Sequence, residues 1–393
     1  MSDTAILAVV LACIAGLLAG RAWADARRAG DPRERLGFRT LPHYTQGLHY
    51  LASGQVALAI SELTKVARES PDAVEALQVL GTLLRESGQV ERAIQVHQGL
   101  LARVDLTRAE KGLVLADLGT DYRKAGFLDR ASRTFAQALE ADAKNIRVLM
   151  EMQKLHEEQR QWREAYEVRT RLARLRKSDD SFVLGYLQAE MGQEALRARD
   201  LEGAERAFKT ALSLDRRVFP AHLGLADLHA ASDPRRAAAL LEEAIQVVPE
   251  RAYLAFDRLS RAYAACGEPG RFVALCERII KGDPRDWRAR LALARALARE
   301  GKHEEAYGLL LRAVEANPQV LVLHLEMWRT LRALGVLDTA VRDYVATSEE
   351  SVFYRDPHIC TSCRYRADDM LWRCPHCHEW NTFVEERLAA AAH

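Results

Sequence analysis

Apolar and polar positions divide the chain into three stretches of different character. The first is Thr4–Gly20 (TAILAVVLACIAGLLAG), 17 residues without a charge between Asp3 and Arg21. As a helix it spans about 26 Å, enough for a thin or locally thinned bilayer. It is apolar all round, which a helix half-buried in a soluble core is not. Arg21 is placed to snorkel and Trp23 to sit at the interface. Residues 1–24 are therefore predicted to be a transmembrane anchor. Only Asp3 and the α-amino group precede the run, whereas Arg21, Arg27, Arg28, Arg33 and Arg35 follow it. The positive-inside rule then puts the body of the protein in the cytoplasm. A secretory signal is the competing reading, because Ala22-Trp23-Ala24 resembles a cleavage site. Against it, no Lys or Arg leads the run, and Arg21 lies where such peptides are neutral. Residues 25–40 are polar and Arg-rich and read as a linker, either plainly solvated or in contact with anionic lipid head groups.

The second stretch, residues 41–350, is periodic. A Gly or a polar substitute recurs five residues before a small residue, as in Gly54…Ala59, Gly88…Ala93, Gly126…Ala131, Gly301…Ala306 and Gly335…Ala340. Weaker copies start at Arg160, Arg199, Ser232 and Gly267, and the spacings are 34, 38, 34, 39, 33, 35, 34 and 34. Proline falls 17 residues after a start at Pro71, Pro249, Pro284 and Pro318. Gly47, Gly81 and Gly119 lie seven residues before a start, Tyr50, Tyr122 and Tyr263 four before, and Leu63, Phe135 and Phe208 nine after. This pattern resembles the tetratricopeptide repeat, in about nine copies. Gly ends the first helix (A) of each pair in a left-handed turn, and small residues let the second helix (B) come close. Proline then closes helix B. One pair cannot bury its apolar face, so neighbours stack and offer a groove to a partner's helix or peptide. The two long spacings predict longer turns or helices.

The third stretch holds four of the seven cysteines, as Cys360-x-x-Cys363 and Cys374-x-x-Cys377. Two such pairs place four thiolates around one ion. In each, a short turn aims backbone N–H groups at the first sulfur. Zinc and iron both suit the donor set, and the sequence does not choose between them. A redox dithiol is disfavoured, since such a motif sits in a βαβ unit. His358, His376 and His378 are nearby, but four sulfurs already fill a site. Residues 351–386 resemble a rubredoxin-like zinc ribbon, with Cys374-Pro375-x-Cys377-x-x-Trp380-x-Thr382 matching its second knuckle. Arg364 and His378 stand where such turns often carry Gly, at a modest φ > 0 penalty. Tyr365, Met370, Leu371, Trp372, Trp380 and Phe383 exceed what so small a ribbon needs. Some of them are expected to dock on the last repeats.

Composition narrows the function. Lys+Arg number 56 and Asp+Glu 55, which argues against nucleic-acid binding. Apolar residues make up 49%, enough for a large core, and seven cysteines are too few for a disulfide scaffold. No phosphate-loop, nucleophile-elbow or zinc-protease motif occurs, so no enzyme is expected. His156, His222, His229 and His324 read as packed or surface residues, and Cys266 and Cys276 as small hydrophobes. Arg169–Lys177 reads as a solvated basic face or a patch for acidic partners.

The expected fold is thus all-α: a right-handed superhelical tetratricopeptide-repeat solenoid with an N-terminal transmembrane helix and a small C-terminal rubredoxin-like ribbon. That order of parts resembles the lipopolysaccharide assembly protein B family of Gram-negative bacteria, most closely at Gly81–Thr107, Leu118–Ala131 and Tyr365–Thr382. The resemblance implies a regulatory adaptor at the inner membrane. It would link the deacetylase that commits precursor to lipid A to a membrane AAA+ protease, with a further inner-membrane regulatory protein relieving it. It also implies Cys360, Cys363, Cys374 and Cys377 as metal ligands. The alternatives are a non-proteolytic scaffold for envelope biosynthesis and an electron carrier with an iron ribbon. A homodimer through the anchor or an end of the array is compatible with all three.

Overall fold

The computed structural model describes residues 42–336, apart from Pro71, Val104 and Gln319, together with residues 357–386. The expected anchor, the Arg-rich linker and the second helix of the ninth repeat lie outside the described residues. Among the described residues no helix is long and apolar enough to cross a membrane. They form two compact units. The first runs to Gln161 and takes in Arg174–Arg176, and the second comprises Trp162–Ala173 and the chain from Lys177 onward.

In the first unit, helices pair as Pro42–Ala52 with Val56–Glu69, Val74–Glu86 with Val90–Leu101, and Arg108–Lys124 with Leu128–Ala141, and Ile146–Glu158 follows. The second unit repeats the plan, from Ser181–Arg197 with Leu201–Leu214 to Trp287–Arg299 with His303–Ala316, and ends on Leu321–Ala333. The two long spacings are absorbed in part by long A helices. Arg108–Lys124 and Ser181–Arg197 each have 17 residues, against 13 in Val74–Glu86 and Ile146–Glu158.

The turn inside each pair follows from the sequence period. Gly88 and Gly126 sit at φ 81° and 79°. The next N–H then reaches back to the carbonyl five residues earlier, Gln89 to Leu84 and Phe127 to Tyr122, both at 2.8 Å. Arg160 and Arg199 take the same left-handed place at φ 56° and 61°, so the weak copies keep the geometry without glycine. Ser232 departs from it: the turn there closes through Asp233 N–H on His229 O at 2.8 Å, and Asp233 caps the helix that begins at Pro234.

The core lies between the helices of each pair and between pairs. Phe135 and Phe208 are fully buried, as are Ala131, Ala138, Ala204 and Ala211 on the same B helices. Each such ring is worth about 1.5–3 kcal/mol against exposure. Gly119 makes room, because a Cβ there would lie 2.5 Å from the Phe135 ring. The second pair places His97 at this ring position instead, fully buried, over Gly81. Its Nδ1 lies 2.5 Å from Asp121, which also accepts a 2.9 Å bond from the buried Arg85. A buried carboxylate is tolerated when paired in this way.

At the C-terminus, strands His358–Cys360, Arg366–Ala367 and Phe383–Glu385 form an antiparallel sheet with the first strand in the middle. Ile359 pairs with Arg366 on one side and Val384 on the other.

Candidate metal centre

Each cysteine pair folds as a tight knuckle. Cys360 N–H donates to Tyr365 O at 2.9 Å and its own carbonyl accepts from Arg364 N–H at 2.9 Å. The second knuckle repeats this, with Cys374 N–H on Glu379 O at 2.8 Å and His378 N–H on Cys374 O at 3.0 Å. Arg364 and His378 are left-handed, at φ 64° and 63°, as their places after each pair require. The knuckles face one another, and the four Sγ atoms lie within 4.8 Å of each other. Cys360 Sγ is 3.6 Å from Cys377 Sγ, and Cys363 Sγ is 3.6 Å from Cys374 Sγ. Four sulfurs each about 2.3 Å from a tetrahedral ion would be separated by about 3.8 Å, so the residues fit one metal.

The surroundings favour charge on one sulfur first. Burial opposes the Cys360 thiolate, but the Thr382 hydroxyl, 3.1 Å away, and the N–H groups of Cys363 and Ser362 outweigh it. Its pKa is held down to about 6. Burial dominates at Cys374 and Cys377, both raised, the latter to about 12. A bound cation would draw the remaining protons off. Two of the three histidines are engaged elsewhere. The Arg373 guanidinium bonds His378 Nδ1, His376 stacks on Tyr365 at 11°, and His358 lies in the first strand. Phe383 is buried against Cys360 and Cys374.

Met370 lines a cavity with Trp287, Leu291 and Val322 of the last repeats, as expected, but two of the surplus aromatics dock the ribbon on earlier repeats. Trp372 and Trp380 flank the second knuckle and reach back to residues between 162 and 251. Trp380 meets Tyr186 with ring centroids 5.7 Å apart and Trp162 at 6.4 Å. Trp372 meets Tyr186 at 6.1 Å and Phe219 at 6.3 Å. Arg251 lies over the Trp372 ring at 5.3 Å and donates to the carbonyls of Asn381 and Phe383, both at 3.3 Å. Arg288 pairs with Glu385 through two nitrogens, one at 3.1 Å. Tyr186, Phe219 and Arg288 all lie in the first half of an A helix, and Arg251 lies in the 3-10 turn Pro249–Leu254 that leads into the next one. The displacement has a simple cause: this face carries a ring or guanidinium in consecutive pairs, matching two indoles and a strand edge. Tyr365 stays exposed at 41%, and Met370 and Leu371 pack beside the cysteines.

Sequence reasoning had not singled out Tyr186, Phe219, Arg251 or Arg288. Several of the remaining candidates are packed or paired. His222 and Cys276 are buried, with burial pushing the Cys276 thiol up to about 12, and Arg169 pairs with Asp180 at 2.6 Å.

Comparison with known proteins agrees with this division. Residues 358–385 match a family described as a rubredoxin metal binding domain. Residues 44–105, 189–232 and 273–334 match tetratricopeptide repeats. The chain is 25% identical over 371 residues to Lipopolysaccharide assembly protein B of Escherichia coli K12, covering 92% of this chain and 93% of the relative. It is 23% identical to the protein of that name from Haemophilus influenzae, covering 93% and 95%. Among solved structures, the C-terminal part of a TPR repeat-containing protein from Cytophaga hutchinsonii is 14% identical with a TM-score of 0.43, covering 72% of this chain and 99% of that one.

Proposed function

We propose that this chain, a distant relative of Lipopolysaccharide assembly protein B, is a non-enzymatic adaptor in lipopolysaccharide assembly. In this reading Thr4–Gly20 anchors it in the inner membrane with the body in the cytoplasm. It binds the deacetylase that commits precursor to lipid A and presents it to a membrane AAA+ protease, under a further inner-membrane regulator. One ion, zinc or iron, held by Cys360, Cys363, Cys374 and Cys377, supplies the folding energy of the ribbon and no chemistry of its own.

The observation that carries the reading is the extent of the likeness, which runs through repeats and ribbon alike over 92% of the chain. Exposed apolar side chains in the first unit support it. Leu113, on Arg108–Lys124, and Ile146 and Met150, on the next A helix, are exposed at 46%, 38% and 37%. Exposed apolar side chains on consecutive A helices suit a partner segment. An anchor would add effective concentration toward a protease in the same membrane, with no new contact needed.

The test is the lifetime of the deacetylase after a block of synthesis, with and without this protein. A severalfold longer half-life on depletion is expected. An unchanged half-life overturns the proteolytic role and leaves the scaffold reading, in which synthesis enzymes bind but keep their lifetimes.

A further inference from the structure

Beside the ribbon's seat the second unit contains a cavity of about 370 Å³. That is within the range of small ligand sites, and large enough for one bulky side chain and part of its neighbour. Phe256, Phe272, Trp287, Leu291 and Val322 from the repeats make its apolar wall. His358, Asp368 and Met370 from the ribbon close the other side. The cavity therefore exists only while the ribbon is seated.

Its charges are unevenly satisfied. The lining carries three arginines and four carboxylates. On the repeat side the arginines are engaged: Arg288 by Glu385, Arg295 by Glu326 at 2.8 Å, and Arg299 by the Ser260 hydroxyl at 2.7 Å. Across from them Asp368 is exposed and makes no ion pair among the described residues. Nδ1 of His358 is buried without a hydrogen-bond partner there. An apolar wall facing an unneutralised carboxylate fits an apolar group next to a cation, and an anion would meet the excess of carboxylates.

We propose that this composite cavity is a peptide-recognition site. It takes one large apolar side chain of a partner's extended segment against Trp287 and Leu291, and an adjoining Lys or Arg on Asp368. The inference goes beyond the adaptor reading, because it names the chemistry read at one site whichever client carries it.

Three fluorescein-labelled peptides test it on the full-length, metal-loaded protein in detergent: Gly-Phe-Lys-Gly, Gly-Phe-Glu-Gly and Gly-Ala-Lys-Gly. Fluorescence anisotropy should show the Phe-Lys peptide saturating below about 1 mM, with the other two at least about tenfold weaker. Ala292→Phe, which fills the cavity, should abolish binding. Asp368→Lys, at an exposed position, should remove the preference for Lys over Glu and serves if the filled variant does not fold. Chelation of the metal should release the bound peptide. Equal binding of the Phe-Lys and Ala-Lys peptides, an unchanged preference in Asp368→Lys, or no saturation by that concentration overturns the proposal. Neither deacetylase nor protease is present, so this outcome is independent of the half-life result.

Discussion

The ring of Trp380 lies 5.7 Å from that of Tyr186 at an angle of 38°, three residues beyond a cysteine of the candidate metal site. The ring that docks the ribbon and the knuckle that would hold the metal are thus one piece of chain. Tyr186 is buried, its hydroxyl has no partner there, and burial pushes its pKa up.

The ring and the hydroxyl of Tyr186 should separate cleanly. Tyr186→Ala removes the surface under both indoles and is expected to cost about 3–5 kcal/mol, freeing the ribbon. Tyr186→Phe removes a hydroxyl that bonds nothing and should change stability by less than about 1 kcal/mol. Limited trypsin digestion reads this at Arg364, Arg366 and Arg373. A Phe variant as easily cut as the Ala variant would contradict the seat as described.

Asp121 is the most deeply buried carboxylate among the described residues of the first unit. Asp121→Asn leaves the buried Arg85 with only the exposed Glu86, 3.3 Å from its Nε, and a loss of about 3–5 kcal/mol is expected. His97→Leu restores the apolar residue usual at that position and keeps the Arg85–Asp121 pair, so it should cost less. The two urea midpoints decide the point, and the reverse order would show that the histidine, not the arginine, needs the carboxylate.

Acid should loosen the second unit through His222. Its Nε2–H donates to the Arg216 carbonyl at 2.9 Å, and burial lowers its pKa below the ordinary 6.5. As pH falls below that value the unfolded chain takes up a proton that the folded chain refuses. The stability contributed by the neutral ring is therefore complete above pH 6.5 and is lost as pH falls toward the lowered folded value. His222→Gln should show a shallower fall of Tm across that window. Parallel Tm profiles for the two proteins would rule the histidine out.

Metal removal should act on the seat as well as on the ribbon. A ribbon of this size has too little core to fold alone, and a structural zinc site contributes on the order of 10 kcal/mol. Chelation, or Cys360→Ser with Cys377→Ser, should shift tryptophan fluorescence to the red as Trp372 and Trp380 meet water, with helical circular dichroism largely kept. Binding should release protons, because thiols arrive protonated and leave as thiolates. Full metal content in the double variant would refute the ligand assignment.

Much of this was legible because it is local. The knuckles follow from two short spacings, and Arg364 and His378 fell in the left-handed places that the ribbon resemblance marked. Arg160 and Arg199 kept the turn of the glycines they replace, since the backbone bonds that close it involve no side chain. The seat was not legible. Tyr186 and Phe219 follow the same period as core residues of their own pairs, and nothing local marks an aromatic that serves a distant domain. The period also carries no sign that Arg251 would bond carbonyls 130 residues away. His97 escaped notice because a polar residue at a ring position makes sense only beside Asp121, which lies on another helix.

That distance has a consequence in time. A ribosome makes the seat first and the ribbon last. At about 5–20 residues per second, the partners of Arg251 emerge on the order of 10 s after it does. In that interval Tyr186 and Phe219 face solvent bare, on helices already able to fold. A chain stopped short of Trp372 would keep that aromatic face uncovered for good, and so would carry a standing mark of incompleteness for chaperones and proteases to read.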